Sequence, residues 1–242
     1  MDFVLKYKGI FFEGDGHVKE NMAAAEKKQG FLIRFIKLNF GLFLFGLGAV
    51  FTISANIGYS PWDILSDGLA KVLGITFGLS SILQGIVFVL IVWLGKEAIG
   101  LGTLFNMVFI GLYIDLIRGT GIIAPGESYI MRYLFFFIGL VIICFASYEY
   151  ISSGFGAGPR DSLMVFIARH TPLSVGVSRT LLESTAAIVG FLLGGPLGIG
   201  TLLAAFCTGF IMEIVFKILK FKPTDVKHET LLDSLKMLTK KA

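Results

Sequence analysis

Residues 54–63 read S-A-N-I-G-Y-S-P-W-D, and residues 152–161 read S-S-G-F-G-A-G-P-R-D. The two stretches lie 98 positions apart and share Ser, Gly, Pro and Asp at matching places. Each follows a long hydrophobic run and sets an aspartate two residues after a proline. The match continues beyond them, and it guides the interpretation of the whole chain.

The residues that follow these stretches predict an internal duplication. Residues 54–116 align with residues 152–214 without a gap, and fifteen aligned positions are identical. In so biased a composition, chance gives a match at only about one position in twelve. The identities favour Gly, Pro, Asp and Thr, which shared hydrophobicity does not explain. Charge character recurs as well, at Lys71 with Arg169 and at Asp115 with Glu213.

The composition indicates an integral membrane protein. Hydrophobic residues make up 55% of the chain, charged residues 16%, and the mean hydropathy is +0.81, far from the soluble average. A helix needs about 20 mostly apolar residues to cross a hydrocarbon core of about 30 Å. Continuous apolar runs without two-residue alternation exclude a membrane β-barrel. We predict an all-α, polytopic fold with six spans, at about 35–57, 77–95, 100–117, 131–153, 174–193 and 198–219.

Basic residues concentrate at the two ends of the chain. Seven lie before residue 40 and seven from residue 217 onward. By the positive-inside rule both termini face the cytoplasm, which requires an even number of spans. The loops between spans add nothing to this prediction, because their charges balance: Lys96, Arg160 and Arg169 inside, and Lys71, Arg118 and Arg132 outside.

These observations divide the chain into a cytoplasmic N-terminal tail (1–33), a transmembrane domain (34–220) and a basic cytoplasmic C-terminal tail (221–242). Repeat one covers about 38–118 and repeat two about 131–219. The net charge of +4 is what juxtamembrane segments facing anionic lipid carry, so the lipid bilayer is the expected partner and nucleic acid is not.

Each predicted repeat contains three spans, an odd number, so the second repeat enters the membrane upside down relative to the first. The result is a pseudo-two-fold axis in the membrane plane. Many secondary transporters have such inverted repeats, with sites near the bilayer midplane built from broken or short helices. Channels have them too, so the architecture alone does not separate the two classes.

The repeated prolines each predict the start of a helix. Ser60 suits the N-cap, Pro61 the first helical position, and Asp63 can bind free backbone N–H groups of the first turn. Each helix then has about thirteen residues, or roughly 20 Å, which is too short to span a membrane. The second repeat has the same arrangement with a weaker cap, at Gly158, Pro159 and Asp161.

Two placements of these short helices remain open. Asp63, Asp67 and Lys71 form one stripe, which favours amphipathic helices lying at opposite membrane surfaces. The repeated Gly-x-x-Pro-x-Asp favours re-entrant half-helices whose N-termini approach a shared central site.

A second repeated motif, Gly-x-Gly-Thr-Leu, opens the third span of each repeat. Small residues let helices approach closely in lipid, and a threonine can return its hydroxyl to the backbone, so we interpret the motif as structural. A nucleotide-binding interpretation fails, because no strand precedes the glycines and no phosphate-binding lysine follows. Together with the two prolines, the predicted structural residues are Gly100, Gly102, Thr103, Gly198, Gly200 and Thr201.

Ionisable residues inside spans indicate function, because each is costly unless it is paired or faces a cavity. Glu149 is the deepest candidate, whereas Arg179 and Glu183 are spaced to neutralise one another. We predict a site for a cationic or zwitterionic organic solute, exchanged for protons on Glu149. A simple inorganic anion is disfavoured, because aspartates offset the field of both helix N-termini. The predicted substrate-binding residues are Asp63, Asp161, Glu149, Ser60 and Gly158.

Enzyme chemistry is not expected. The chain has no H-E-x-x-H sequence and no histidine in a predicted span, and the paired aspartates lack a nearby nucleophile or second metal ligand. Cys144 and Cys207 fall inside spans, where a reduced thiol is a small hydrophobe. We predict no catalytic residue, no metal and no cofactor.

Two copies of Gly-x-x-Pro-x-Asp, each followed by Gly-x-Gly-Thr, resemble the YczE/YyaS/YitT group of bacterial integral membrane proteins, nearer its YczE branch. The resemblance covers roughly residues 38–220, without the soluble domain of YitT-type members. It implies a multi-pass protein of the bacterial plasma membrane and supplies no catalytic residues. The expected function is a permease or exporter of a small organic solute, and the alternative is a non-transporting membrane protein that binds or regulates a partner at the cytoplasmic membrane.

Overall fold

A computed structural model describes residues 30–234 of the chain. Most of the predicted N-terminal tail and the last eight residues of the basic C-terminal tail lie outside the described residues. Within them the chain forms helices and no strands. The helices are α1 (Phe31–Ser54), α2 (Pro61–Leu73), α3 (Phe77–Leu94), α4 (Leu101–Thr120), α5 (Tyr129–Ser152), α6 (Pro159–His170), α7 (Val175–Leu192) and α8 (Ile199–Ile218), followed by one 3₁₀ turn at Pro223–Asp225.

Six of these helices are long and apolar enough to cross a membrane, namely α1, α3, α4, α5, α7 and α8. Each coincides with a predicted span to within a few residues, and the prediction of an all-α fold with six candidate spans is confirmed. The helices α2 and α6 have 13 and 12 residues. At 1.5 Å per residue both are shorter than the hydrocarbon core.

Local sequence explains where the helices begin. Thr76, Ser128 and Ser174 are N-caps whose hydroxyl oxygens accept the backbone N–H three residues on, at 3.2, 3.2 and 3.3 Å. Pro61 and Pro159 instead occupy the first positions of α2 and α6, where a missing N–H has no cost.

The centre of the fold is the antiparallel pair α1 and α5. A β-carbon at Gly41 would lie 2.7 Å from the backbone nitrogen of Tyr150, and one at Gly48 would lie 2.8 Å from the carbonyl oxygen of Gly139. Glycine at these places lets the two backbones touch, as in other close helix pairs in lipid. α4 packs beside α1 and α8 beside α5, while α2 packs on α7 and α6 on α3.

Two glycine junctions join the halves of the chain at opposite ends of the α1–α5 pair. Beyond α1, the Ile57 carbonyl accepts the N–H of Gly200 at 2.7 Å, and Gly58 contacts Gly198. Beyond α5, the Phe155 carbonyl accepts the N–H of Gly102 at 2.7 Å. In the second junction each residue lies 98 positions from its counterpart in the first, with Gly156 contacting Gly100. The duplication itself stays a prediction.

The segment after α8 folds back onto one of these junctions. Arg34 of α1 is buried and forms an ion pair with Glu229 at 2.5 Å, and its Nε donates to the carbonyl of Ser153 at 2.8 Å. The backbone N–H of Glu229 donates to Gly154, and that of Leu231 to the carbonyl of residue 99, both at 2.8 Å. We call residues 226–234 the C-terminal strap.

Candidate functional site

The N-termini of the two short helices meet. The guanidinium carbon of Arg160, in α6, lies 5.3 Å from the ring centroid of Trp62, in α2. This guanidinium also interacts electrostatically with Asp63 and Asp161, the acids in the first turns of α2 and α6. A short sequence spacing from each proline therefore brings one aspartate of each half toward a single arginine.

The C-termini of the short helices lie apart. Lys71 in the last turn of α2 donates to the carbonyl of Gly194, beyond α7, at 2.7 Å. Arg169 in the last turn of α6 forms an ion pair with Glu97, beyond α3, at 2.6 Å. The two helices thus point their N-termini at each other and their C-termini at different ends of the bundle. This arrangement differs from that of two helices lying on opposite surfaces.

Asp63 is buried, with 8% of its surface exposed. Its Oδ2 accepts the Ser60 hydroxyl at 2.7 Å. Ser60 does occupy the N-cap position, but its side chain makes no capping bond to the helix backbone. The expected cap is replaced by a hydrogen bond between two side chains, because the hydroxyl turns toward the carboxylate instead of the first-turn N–H groups.

Asp161 is bound by α5 and lies near α7. Its Oδ2 accepts the phenol of Tyr150 at 3.3 Å, and Tyr150 has only 6% of its surface exposed. Arg179 of α7 interacts electrostatically with Asp161 and forms an ion pair with Glu183 at 2.9 Å. The predicted pairing of Arg179 with Glu183 is confirmed, and it lies beside the site.

α4 contributes an amide to the same place. A β-carbon at Gly158 would lie 3.5 Å from both side-chain atoms of the Asn106 amide and 3.5 Å from Oδ2 of Asp161. One turn earlier, the Thr103 hydroxyl donates to the carbonyl of Ala157 at 2.6 Å. We call the assembled group the central polar cluster: Ser60, Trp62, Asp63, Asn106, Tyr150, Gly158, Arg160, Asp161, Arg179 and Glu183.

Glu149 is not joined to this cluster by any contact found among residues 30–234. Its β-carbon packs toward Gly41 of α1, and within the described chain its carboxylate makes no hydrogen bond or ion pair. The next residue, Tyr150, reaches Asp161 instead. Successive helical residues point about 100° apart, so the structure separates the predicted acid from the predicted aspartates.

Sequence reasoning missed Arg160 and Tyr150. It counted Arg160 as a loop charge, although the residue stands between Pro159 and Asp161 in the repeated motif. Its counterpart in the first repeat is Trp62, and an aromatic ring against an arginine is a recognised stabilising pair. That complementary difference between the two copies was the available signal.

The second repeated motif lies at the glycine junctions. Gly100 and Gly198 each donate a backbone N–H to the hydroxyl of the threonine three residues on, Thr103 or Thr201, at 3.3 Å in both cases. Gly102 and Gly200 are the N–H donors to Phe155 and Ile57 described above. These residues hold the loops that lead into α2 and α6, and so they fix where the cluster forms.

Further buried polar groups lie on α2, α3 and α7. Gln84 donates to the Ser66 hydroxyl of α2 at 2.7 Å. Within the described part of the chain, the Gln84 carbonyl and the hydroxyls of Ser80 and Ser178 are buried without a hydrogen-bond partner. A buried polar group without a partner costs about 1–3 kcal/mol and calls for an explanation such as a functional role. Residues 30–234 contain no group of three or more His, Cys, Asp or Glu side chains that could hold a metal ion.

Comparisons with known proteins agree with this membrane architecture. The chain is 37% identical over 189 residues to the uncharacterised membrane protein YczE of Bacillus subtilis strain 168, which covers 77% of this chain and 86% of YczE. It is 36% identical over 187 residues to an uncharacterised protein of Haemophilus influenzae, covering 77% of this chain and 84% of the relative.

YyaS of Bacillus subtilis is 28% identical over 194 residues, covering 78% of this chain and 94% of YyaS. No solved structure matches the chain. Residues 32–217 match a protein family described as a family of unknown function, DUF6198. This matched region contains α1 to α8 except the first residue of α1 and the last of α8, and the matches to YczE and YyaS agree with the resemblance found in the sequence. The chain belongs to the DUF6198 family.

Proposed function

We propose that this protein is a permease or exporter of a small organic solute, and that the central polar cluster is its solute site. One observation carries the proposal: the N-termini of two short helices meet around Arg160, Asp63 and Asp161, among helices able to span a membrane. Charged residues between spans are costly and typically mark substrate or ion pathways. Short helices whose N-termini face a common site are a recurring element of secondary transporters.

The proposed architecture is a pair of inverted repeats in the bacterial plasma membrane, with both termini cytoplasmic and with α2 and α6 re-entrant. The glycine junctions at opposite ends of the α1–α5 pair support it. Reporter fusions test the topology. Fusions after Gly58 and after Arg118 should report the outside, and a fusion after Lys96 the inside. Finding residues 58–60 and 74–76 on opposite sides would mean that α2 crosses the membrane.

The chemistry of the cluster favours a zwitterionic solute over a plain cation. Among the described residues, the Arg160 guanidinium has no hydrogen bond or direct ion pair, and Trp62 lies against it. Guanidinium binds carboxylate through two parallel hydrogen bonds. Asp63 and Asp161 stand on the same site and suit an ammonium group. Because of Arg160, the expected solute class narrows from cationic or zwitterionic solutes to zwitterionic ones. Glu149 is not part of the proposed site.

A charge series of nearly constant size tests the solute class. L-alanine is a zwitterion, L-alanine methyl ester a cation and N-acetyl-L-alanine an anion. The full chain in proteoliposomes is assayed for flux of these three and of a panel of other amino acids and betaines. We expect flux for zwitterions only, because both charges are needed. Flux of none of the panel would overturn the solute assignment.

A matched pair of arginine substitutions tests the site. Arg160→Gln should abolish flux, because it removes the charge that receives the carboxylate. Arg169→Gln, on the same helix but paired with Glu97 at its far end, should leave flux within about twofold. Equal loss in both variants would show that α6 tolerates no such change and would contradict a specific role for Arg160.

The alternative function, binding or regulation of a partner at the cytoplasmic membrane, is favoured by the C-terminal strap. The strap is held at the Arg34–Glu229 pair and leads directly into the basic residues that end the chain. Truncation after residue 234, which keeps the Arg34–Glu229 pair and removes the basic residues beyond it, discriminates the two functions. Loss of the cellular function with unchanged flux in the truncated chain would favour the partner role. Loss of flux in Arg160→Gln but not in the truncated chain would favour transport.

A further inference from the structure

A specific contact holds the start of α3 against α4. Oδ1 of Asp115 accepts the backbone N–H of Gly78 at 2.8 Å, and Oδ2 accepts the Thr76 hydroxyl. Gly78 and Gly111 face each other so closely that a β-carbon on either would clash with the carbonyl oxygen of the other. We call Thr76, Gly78, Gly111 and Asp115 the α3–α4 latch. It closes this pair of helices backbone against backbone.

The same chemical groups recur 98 residues later in α7 and α8, but they do not meet. They are Ser174, Gly176, Gly209 and Glu213, and we call them the α7–α8 latch. A β-carbon at Gly176 or Gly209 would find no atom within 4 Å. The Ser174 hydroxyl caps its own helix. Glu213 is exposed, and within residues 30–234 it has no hydrogen bond or ion pair.

The α7–α8 latch contains every group needed to close as its counterpart does. Ser174 supplies a hydroxyl as Thr76 does, Gly176 supplies an N–H, and Glu213 is an acid one methylene longer than Asp115. Glycine destabilises a helix interior unless a close approach requires it, and a carboxylate beside lipid is costly. Neither residue is explained by the open arrangement. Both are explained by a conformation in which α7 and α8 touch.

The two latches lie at opposite ends of the bundle. The α3–α4 latch is at the start of α3. Arg169, a few residues before α7, is paired with Glu97, just beyond the end of α3. The start of α7, and with it the α7–α8 latch, therefore lies where α3 ends. One end of the bundle is closed by its latch while the other is not.

We propose that the two latches close alternately. In the second conformation Glu213 binds Ser174 and the N–H of Gly176, the α3–α4 latch opens, and the central polar cluster is reached from the other side of the membrane. This inference rests on the proposed transport function. It requires only that two packings of similar free energy exchange, as rigid-body rocking of repeats does in transporters.

Distances between spin labels test the exchange in the full chain, with Cys144 and Cys207 replaced by alanine. Leu79 and Leu112 are exposed beside the α3–α4 latch, and Val177 and Phe210 are their exposed counterparts beside the α7–α8 latch. Cysteines are introduced and labelled at one pair at a time. We expect a second, shorter Val177–Phe210 distance that grows at least threefold in population in Asp115→Asn, which weakens the α3–α4 latch, and disappears in Glu213→Gln.

A leucine placed in the open space of the α7–α8 latch sharpens the test. Gly209 is exposed, and a β-carbon there meets no atom within 4 Å in the present conformation, so Gly209→Leu should preserve folding. It should nevertheless remove the short Val177–Phe210 population and reduce flux at least tenfold, because α7 can no longer approach. Gly119→Leu is the control, since this glycine near the end of α4 also has open space around it and belongs to neither latch.

The outcomes separate this inference from the proposed function. Exchange of distances without flux of any solute would retain the latches and overturn transport. Flux in Gly209→Leu equal to that in Gly119→Leu, or a Val177–Phe210 distance that stays single in Asp115→Asn, would overturn the latches and leave transport standing. A short distance that appears only between labels on different molecules would assign the two glycines to a dimer contact and also overturn the proposal.

Discussion

The first turns of α2 and α6 occupy equivalent places in the two halves of the chain, yet they differ in chemistry at the residue between the proline and the aspartate. Pro61 and Asp63 have identical counterparts, Pro159 and Asp161. Between them Trp62 stands opposite Arg160, and these two unlike residues contact each other. Identical prolines start both helices and identical aspartates follow them, while the unlike residues between them give the cluster its arginine and its aromatic face.

The same division recurs in the supporting helices. Asn106 and Tyr150 belong to the cluster, and their counterparts at the offset of 98 are Ala204 and Thr52. The glycines of the two junctions, by contrast, are identical. This comparison indicates that the shared glycines and prolines serve folding, whereas the divergent residues join the shared aspartates in the cluster. Substitutions of the glycines and of the divergent residues should therefore have different consequences.

The largest effect is expected at the junction glycines. Gly58 and Gly156 have φ angles of +112° and +120°, which residues with a β-carbon rarely adopt, and a β-carbon at either would press into the backbone opposite it. Gly58→Ala and Gly156→Ala should each cost about 3 kcal/mol or more. The measurement is the yield and thermal stability of the purified protein.

Gly74→Ala is the control for this prediction. Gly74 also has a positive φ, +65°, but a β-carbon there would meet nothing within 4 Å. It should lose only about 1 kcal/mol of stability. If only one of the two junction glycines proved sensitive to alanine, the two junctions would not have equivalent structural roles. The comparison on which this prediction depends would then fail.

A smaller effect on stability, with a large effect on flux, is expected at Arg160. Arg160 has no direct ion pair among the described residues, but it interacts electrostatically with the buried Asp63 and with Asp161. Arg160→Gln takes this cation away from both carboxylates, so it should lower stability by less than the junction substitutions do while abolishing flux. Arg160→Lys keeps the charge but loses the planar fork and much of the stacking on Trp62. It should retain under about a tenth of the flux. Full flux in Arg160→Lys would reduce the role of Arg160 to simple charge.

Sequence alone predicts the helices well because the signals are local. Twenty apolar residues identify a span, and Ser-Pro or Gly-Pro identifies the start of a short helix. The repeat in the sequence points to Asp63 and Asp161 of the central polar cluster, but the position of Arg160 beside them depends on how α2 lies relative to α6. That relation is set by the glycine junctions, which join residues about 50 and 140 positions apart in the chain.

The different surroundings of the neighbours Glu149 and Tyr150 show a second limit. Both residues lie at the end of a span, and hydropathy favours the acid as the more unusual residue there. Only the rotation of α5 against α1 decides which side chain reaches α6. Gly41 allows α1 to approach the backbone at Tyr150 closely, and this contact between distant segments has no sequence signature of its own.

A moderate effect is expected where the two aspartates differ in their partners. Ser60 donates to Asp63 at 2.7 Å, whereas Tyr150 donates to Asp161 at 3.3 Å. Removing either donor leaves a carboxylate oxygen with one hydrogen bond fewer. Ser60→Ala should cost about 1–2 kcal/mol and Tyr150→Phe about 1 kcal/mol or less, because the longer bond is the weaker one.

Denaturant or thermal unfolding of the two variants measures this difference, and Ser128→Ala serves as a reference for an ordinary cap, at about 1 kcal/mol. The flux assay adds a second readout. If Asp161 binds the solute, Tyr150→Phe should lower the free energy of solute binding by more than it lowers the free energy of unfolding. A Tyr150→Phe variant less stable than Ser60→Ala would show that Tyr150 contributes more to folding than its longer hydrogen bond implies.

The smallest effect is expected at the far ends of the short helices, where the two halves again use different chemistry. Arg169 pairs with the carboxylate of Glu97, while the counterpart Lys71 pairs with Asp67 in its own helix and donates to the Gly194 carbonyl. Both cations are partly exposed, with 36% and 55% of their side-chain surfaces accessible. Exposed ion pairs contribute at most about 1 kcal/mol because solvent screens the charges and long side chains lose freedom in forming them.

Lys71→Gln and Arg169→Gln should therefore each change stability by less than about 1 kcal/mol, measured by thermal unfolding at low and at high salt. Arg169→Gln should be the more salt-sensitive of the two, since Arg169 bridges separate helices and Lys71 keeps a neutral carbonyl partner. A loss of several kcal/mol in either variant would mean that these ends anchor α2 and α6 as firmly as the glycine junctions do, and that the unlike residues of the two halves are part of the frame.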